Sequence, residues 1–341
     1  MKKQGKTYLF DSPARIIGFA GVAGKKEGEG PLKNDFDMIF EDTSLGQDSY
    51  EMAESAMLHD AFIRALSNAK ISPKEVDAVM CGDLLDQCVG SCFALKDLDM
   101  PFVGMYGACS TMALTLINAC FYIQAGANIV VCGASSHFAS SERQFRFPLE
   151  YGGQRTPTSQ WTVTGAGSAV IQSPAVASAD NLQNAPKITA VHIGKITDFG
   201  IKDANNMGAA MAPAAARTIG DFLADTNTKP NDYDLIVTGD LGFTGSKLLY
   251  EIMQKEYSFD IRNVHKDCGL MIFDLEGQDV HSGGSGCGCS ASVLCSHILK
   301  QVKSGKYKKV LFTATGALMS PTSCKQGHSI PGIAHSVLIE I

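Results

Sequence analysis

One cysteine, Cys109, stands where a thiol could act chemically. It follows a Gly-Ala turn and precedes Ser110 and Thr111, after which the chain is almost entirely apolar as far as Ile123. This pattern predicts a buried helix with Ser110 or Thr111 as its N-cap. The N-terminus of such a helix stabilises a thiolate and also attracts anions. Cys109 is therefore either a nucleophile or the floor of an anion-binding pocket.

A second set of candidate residues follows an apolar, strand-like run that ends at Cys132. Ligands of α/β proteins collect beyond the carboxyl ends of such strands. Guanidinium, imidazole and amide groups are the donors that a carboxylate ligand requires. We therefore predict a ligand-binding set, without any catalytic residue, that consists of Cys109, His137, Arg143, Arg146, Gln154 and Cys287.

Several of these residues also have a structural interpretation. His137 could hold a loop by hydrogen bonding instead of contacting a ligand. The two arginines could form ion pairs with Glu142 and Glu150. The neighbouring Phe145 and Phe147 could stack on the ring of a ligand or simply pack in the core. The sequence leaves these alternatives open.

The composition restricts the class of protein. The chain has 341 residues, of which 45% are hydrophobic and 19% charged, and its net charge is −6. These values are typical of a globular protein, and the negative charge gives no support for nucleic-acid binding. Charged residues and a proline interrupt any signal-peptide core near the N-terminus, and no segment predicts a membrane crossing. We expect an intracellular protein without a transmembrane segment.

The eleven cysteines point to a reducing environment. Many of them lie among apolar neighbours, as reduced and buried thiols do. Cys287 and Cys289 form a C-x-C pair, but no second pair with the spacing of a zinc site accompanies them. We therefore predict no metal site and no cofactor.

The chain contains two copies of one pattern. DAVMCGDL (Asp77–Leu84) and DLIVTGDL (Asp234–Leu241) share an Asp, an apolar run and Gly-Asp-Leu. The segments around Cys109 and Cys289 share a glycine turn, Cys-Ser, a helix, a glycine and an apolar strand. Such a repeat in the same order indicates an internal duplication.

The elements that position the candidate residues follow from this duplication. Apolar strands alternate with helices in both copies, which indicates an α/β protein with a mostly parallel sheet covered on both faces. We predict one α-β-α-β-α body made of two βαβαβ-type halves, residues 1–175 and 186–341, joined by a connecting segment at 176–185. Asp83 and Asp240 end corresponding strands, and their repetition favours turn or helix-capping roles for both.

A cysteine at the start of a buried helix in a duplicated chain resembles the thiolase-like fold of thiolases and ketoacyl-ACP synthases. Four segments carry a more specific resemblance, which covers essentially the whole chain: SSHFASSERQFRFPLEYGGQRTPTSQWTVTGAGSAV, MGAAMAPAAA, HKDCGLMIF and GGSGCGCSA. They are similar to the stage V sporulation protein AD (SpoVAD) family.

The resemblance implies a protein that binds dipicolinic acid (pyridine-2,6-dicarboxylate), or its calcium chelate, for uptake into the developing bacterial spore, and that does not catalyse a reaction. It also implies a connection with spore germination, peripheral association with the spore inner membrane, and the other, membrane-embedded SpoVA proteins as partners. Proteins of this fold typically dimerise through the strand after the nucleophile helix, so we expect a homodimer formed through Ala127–Cys132.

The alternative is a condensing enzyme of the ketoacyl synthase type, an acyltransferase with Cys109 as its nucleophile. Such enzymes add two hydrogen-bond donors, His with His or Asn, which stabilise the enolate and its oxyanion. Comparison with the synthases puts Asp240 and Cys287 in those two places, and neither suits the task. His265 or His281 could substitute for the missing donors. The sequence favours binding over catalysis.

Overall fold

The computed structural model describes residues 1–145 and 155–341. The helices are α1 (Lys25–Gly28), α2 (Tyr50–Ala69), α3 (Val89–Leu95), α4 (Thr111–Gln124), α5 (Phe138–Phe145), α6 (Ala179–Asn184), α7 (Met207–Thr226), α8 (Gly242–Tyr257), α9 (Cys268–Met271), α10 (Cys287–Val293), α11 (Leu299–Lys303) and α12 (Pro321–Lys325). The strands are β1 (Lys2–Gln4), β2 (Thr7–Gly24), β3 (Met38–Phe40), β4 (Ala78–Gly82), β5 (Phe102–Gly104), β6 (Ile129–Ser136), β7 (Trp161–Thr162), β8 (Gly165–Gln172), β9 (Lys187–His192), β10 (Leu235–Thr238), β11 (His265–Asp267), β12 (Gly284–Ser285), β13 (Lys309–Ala317) and β14 (Gly332–Glu340).

The two halves repeat one strand order. The main sheet runs β11-β10-β13-β14-β9-β2-β8-β6-β4-β5, so that β2-β8-β6-β4-β5 of the N-terminal half matches β9-β14-β13-β10-β11 of the C-terminal half. The strand directions match too, with β4 parallel to β5 and β6, and β10 parallel to β11 and β13. The duplication is confirmed. The sheet is mixed rather than mostly parallel, because the last strand of each half, β8 or β14, runs antiparallel to both of its neighbours.

Two helices lie between the halves. α4 packs on β4 and β6 of its own half and on β13 and β14 of the other, while α10 packs on β2, β6 and β8. α2 packs against the N-terminal strands and α7 against the C-terminal ones. A helix that is covered on all sides must be apolar all round, and in α4 the side chains of Met112, Leu116 and Ile117 are fully buried. The predicted α-β-α-β-α arrangement is confirmed.

The close approach of α10 to β8 depends on a glycine. A Cβ atom added at Gly167 would lie 2.1 Å from the backbone oxygen of Ala291. Because protein interiors are close-packed, the added Cβ could not be accommodated unless the helix or the strand moved. Gly167 therefore sets the spacing between the sheet and the central helix.

The strand that we expected to form a dimer interface does not lie at an edge of the sheet. The predicted segment Ala127–Cys132 overlaps the start of β6, which pairs with β4 on one side and with β8 on the other. A strand with both edges hydrogen-bonded cannot extend the sheet into a second copy. A dimer that extends the sheet through this strand is therefore excluded, and the strands that end the main sheet are β5 and β11.

The connecting segment lies between β8 and β9 and contains the short helix α6. Across residues 1–145 and 155–341, no helix has the length and apolar composition that a bilayer crossing requires.

Candidate functional site

Cys109 lies just before α4 in a tight turn. Ala108 has a φ of +49°, and Cys109 is 6% exposed. The hydroxyl groups of Ser110 and Thr111 donate to the backbone oxygens of Gly107 and Ala108, at 2.6 Å each. The predicted helix is confirmed, with Ser110 as its N-cap residue. Its side chain makes no capping hydrogen bond, because the hydroxyls of Ser110 and Thr111 donate to the preceding turn instead.

The thiol of Cys109 is hydrogen-bonded to the carboxyl group of Asp240, which follows β10 in the other half. Asp240 is fully buried and accepts two further hydrogen bonds, from the Thr315 hydroxyl at 2.8 Å and from the Gly286 N–H at 2.9 Å. Burial raises the pKa of Asp240 to about 7, and the hydrogen bonds, that from Cys109 foremost, oppose the rise. The pair joins the two halves at the start of the central helix.

Asp83, the counterpart of Asp240 in the N-terminal half, has a different role. Its carboxylate accepts from the N–H of Leu85 and from both the N–H and the hydroxyl of Ser91 in α3. These contacts hold a turn and the start of a helix, and the prediction for Asp83 is confirmed. Asp240 holds a different element: in the C-terminal half Asp267 accepts from the N–H groups at the start of α8, whereas Asp240 accepts from the Gly286 N–H just before α10 and contacts Cys109.

A cavity opens beside Cys109. The cavity measures about 40 Å³, which is room for a few water molecules, and it continues into open solvent. Its described wall carries no charged side chain and combines apolar with hydroxyl-bearing residues: Leu84, Tyr106, Ala108, Cys109, Ser141, Phe145, Thr162, Met207, Ser285, Ala317 and Met319.

Phe145, in the cavity wall, is the last described residue before the segment 146–154. The predicted ligand-binding residues Arg146 and Gln154, like Phe147 and Glu150, lie outside the described residues. Of the predicted set, the structure therefore brings Cys109 to the cavity wall and adds Phe145.

Arg143 lies elsewhere. Its guanidinium forms an ion pair with Glu51, which belongs to α2, and its side chain is 57% exposed. It lines a second cavity, of about 150 Å³, with residues that include Leu85, Asp86 and Ser140. The predicted pairing with a carboxylate is therefore seen, although the partner is Glu51 of another helix.

His137 is held by the protein on both ring nitrogens. Nε2 donates to the backbone oxygen of Thr43 at 2.8 Å, and Nδ1 accepts from the N–H of Ala139 at 3.2 Å. The ring stacks between Tyr50 and Phe138, with centroids 5.3 and 5.2 Å away, and burial lowers its pKa. These contacts correspond to the loop-holding interpretation, and His137 is not part of the described cavity wall.

Comparisons with known proteins identify the family. The family model described as "Stage V sporulation protein AD (SpoVAD)" matches residues 4–340. The chain is also 43% identical to the Stage V sporulation protein AD of Bacillus subtilis (strain 168) over 343 residues, which cover 100% of this chain and 98% of the relative. The chain belongs to the SpoVAD family.

Solved structures confirm the thiolase-like fold of this SpoVAD-family chain. The 3-oxoacyl-[acyl-carrier-protein] synthase III of Aquifex aeolicus VF5 matches with a TM-score of 0.54 and 14% identity, over 96% of this chain and 100% of the other. The human mitochondrial 3-ketoacyl-CoA thiolase in complex with CoA has a TM-score of 0.57 at 14% identity, over 97% and 98% of the two chains. Both are enzymes by name, and at this identity they show a shared fold alone.

Cys287, which the comparison with synthases puts in the place of a catalytic Asn, is fully buried at the start of α10. Its thiol donates to the backbone oxygen of Ser135 at 2.9 Å, and burial raises its pKa well above the usual value. The thiol of Cys289 in turn contacts the backbone oxygen of Gly239 at 3.6 Å. Cys287, which was predicted to bind the ligand, is thus not part of the described cavity wall. No group of three potential metal ligands occurs in the part of the SpoVAD-family chain that is described.

The two histidines that could have replaced the missing donors have other partners. His265 contacts the Thr238 hydroxyl at 2.9 Å and the Tyr250 hydroxyl at 3.0 Å, and burial lowers its pKa to about 3. His281 lies beside Asp279, with its Nε2 3.3 Å from the carboxylate. Neither contributes to the cavity wall as described.

Sequence reasoning missed most of the wall. Thr162 and Ser285 meet there because β7 and β12, which come from different halves, pair in parallel. Ser141 lies one turn into α5, in a segment that carried the family resemblance but did not single out this serine. The contacts that bring these hydroxyls together are long-range, so only the repeated motifs around them gave any signal in the sequence.

Proposed function

We propose that this SpoVAD-family protein binds dipicolinic acid, or its calcium chelate, in the Cys109 cavity without converting it, and that this binding serves uptake into the developing spore. The observation that carries the proposal is the hydrogen bond between Cys109 and Asp240 beneath a cavity whose described wall contains no His, Asn, Lys or Arg. Among the described residues, the cavity wall offers none of the His or Asn donors that a condensation uses.

The chemistry of condensation explains this choice. An enolate and its oxyanion need hydrogen-bond donors aimed at the developing negative charge. Asp240 is an acceptor when it is ionised, and its oxygens already receive three hydrogen bonds. The Cys287 thiol is committed to a backbone oxygen. Neither side chain supports the transition state of a condensation.

The wall suits a small, flat aromatic acid. Leu84, Phe145 and Met207 offer apolar surface to a ring, and Ser141 and Ser285 offer hydroxyls. Dipicolinate carries two negative charges, which need cationic partners once they leave water. The sequence assigns that role to Arg143 and Arg146, of which Arg143 pairs with Glu51 at the second cavity. Calcium is the other source of positive charge, because the one-to-one calcium chelate is neutral and matches a neutral wall.

Calorimetric titration of the purified protein with dipicolinate, with and without calcium, tests the proposal. Isophthalate, which has the same two carboxylates but no ring nitrogen, is the matched control ligand. We expect saturable binding of dipicolinate or its chelate and weaker binding of isophthalate. Absence of saturable binding in both conditions would overturn the proposed function.

A second candidate function is acyl transfer, and one observation favours it. Asp240 has a pKa near 7 and touches the Cys109 thiol, so it could accept the thiol proton as a base. Incubation with radiolabelled acetyl- and malonyl-CoA, followed by a search for protein-bound label, separates the two functions. Label or product that disappears in Cys109→Ser would establish the enzyme.

For the cellular setting we propose peripheral association with the spore inner membrane, the other SpoVA membrane proteins as partners, and a homodimer. The family supports the first two proposals. The dimer would form through β5 or β11, the strands at the ends of the main sheet, where a second sheet could pair. Sedimentation of the purified protein tests the oligomeric state.

A further inference from the structure

Ser141 has an unusual hydroxyl group. The residue belongs to α5, is 3% exposed and lines the Cys109 cavity. Its Oγ is buried and has no hydrogen-bond partner in the structure as described, residues 1–145 and 155–341. Because nearly all buried hydroxyl groups in proteins are hydrogen-bonded, one without a partner in a cavity wall calls for an explanation.

The usual local partner is not used. A buried serine in a helix commonly donates to the carbonyl four residues earlier. For Ser141 that carbonyl belongs to His137, which already receives the Ser141 N–H at 3.1 Å and the Ser140 hydroxyl at 3.1 Å. The hydroxyl of Ser141 is therefore left for a partner from outside the helix.

The preceding residue provides a direct contrast. Ser140 is equally buried, but its hydroxyl donates to Oε2 of Glu54 at 2.8 Å and so ties α5 to α2. The adjacent serines thus have different surroundings, since Ser140 faces a protein carboxyl group and Ser141 lines the cavity. One hydroxyl ties two helices together, and the other has no partner among the described residues.

We propose that Ser141 is a ligand-contact residue whose O–H donates to a carboxylate oxygen of the bound small molecule and thereby fixes its orientation above Cys109. The inference rests on the proposed function and deepens it by naming the contact. The ligand class is a monocyclic aromatic carboxylate. Its ring lies against the apolar wall provided by Phe145 and Met207, and a carboxylate reaches α5.

Two matched variants, Ser141→Ala and Ser140→Ala, test the inference by calorimetric titration with dipicolinate, under the calcium condition in which the wild type binds, and by thermal unfolding. We expect Ser141→Ala to bind at least about tenfold more weakly while its melting temperature stays at or above that of the wild type, since a hydrogen bond to a charged group is lost only in the complex. Ser140→Ala should show the reverse, a lower melting temperature with unchanged affinity.

The outcomes separate the inference from the proposed function. If the wild type binds dipicolinate and Ser141→Ala binds it equally well, the ligand contact is refuted while the proposed function stands. If Ser141→Ala melts at a lower temperature and keeps its affinity, the hydroxyl has a protein partner and the contact is again refuted. If the wild type does not bind, the proposed function fails and the inference fails with it.

Discussion

The thiol of Cys109 and the carboxyl group of Asp240 are hydrogen-bonded across the two halves of the molecule. The thiol belongs to the start of a central helix, and the carboxyl group follows a strand of the other half. An ionised carboxylate opposes the formation of a second negative charge beside it. The sequence suggested that the positive end of α4 alone sets the environment of Cys109. In the structure a buried acid also lies next to the thiol.

This pair predicts slow alkylation of Cys109. In the wild type at neutral pH, iodoacetamide should modify the exposed Cys92 first and Cys109 much later, because Cys109 is buried and its thiolate would face Asp240. Asp240→Asn should raise the rate at Cys109 several-fold. Asp234→Asn, an exposed position ahead of the same strand, is the control. Peptide mapping that finds Cys109 as reactive as Cys92 in the wild type would contradict the prediction.

Buried carboxyl groups predict a loss of stability as the pH rises. Burial raises the pKa of Glu27 to about 7, from a usual value of 4.5. Between these values the folded protein holds a proton that the unfolded chain has released, so the free energy of unfolding falls as the pH increases and levels off above about 7. Burial also raises the pKa of Glu54, so this carboxyl group changes the stability with pH in the same direction as Glu27.

Glu27→Gln removes this titration and keeps an acceptor for the Thr164 N–H. Its stability relative to the wild type should therefore increase from pH 5 to pH 8, by about 1.4 kcal/mol for each unit of pKa difference at most. Denaturant unfolding at several pH values measures the effect, with the exposed Glu29→Gln as control. A relative stability that does not change with pH would show that Glu27 is ionised in the folded protein.

The two arginines of the ERQFR segment should behave differently. Arg146→Ala is expected to weaken dipicolinate binding by roughly ten- to a hundredfold, the value of one charge-assisted hydrogen bond, and lysine should not restore it. Arg143→Ala should change the affinity little, because Arg143 pairs with Glu51 at another cavity. Calorimetric titration compares the variants. If both alanine variants keep the wild-type affinity, neither arginine contributes to ligand binding.

Gly167→Ala should destabilise the fold strongly, by about 3 kcal/mol or more, because its Cβ atom would meet the backbone of α10 at 2.1 Å. The control is Gly104→Ala in β5, where the nearest atom to an added Cβ lies at an ordinary 3.4 Å. Denaturant unfolding of both variants gives the comparison. Equal stability of the two would mean that α10 can move away from β8 at little cost.

The sequence by itself determined the architecture and the family. Local patterns carry this information: a helix that is apolar all round must be central, and two copies of a Gly-Asp-Leu strand end must fold alike. The position of Cys109 before α4 followed from the same reasoning. These features depend on residues close together in the chain, so periodicity and motifs reveal them.

Only the tertiary structure decided what surrounds Cys109. The sequence showed Asp83 and Asp240 as equivalents. In the structure Asp83 holds a turn, whereas Asp240 accepts a hydrogen bond from the Cys109 thiol. It grouped Arg143 with the ligand-binding residues, whereas α5 directs it to Glu51, and it gave no sign of Ser141. Such contacts join residues far apart in the chain. Their partners are fixed by how the two halves pack around α4 and α10, and this packing leaves no periodic trace in the sequence.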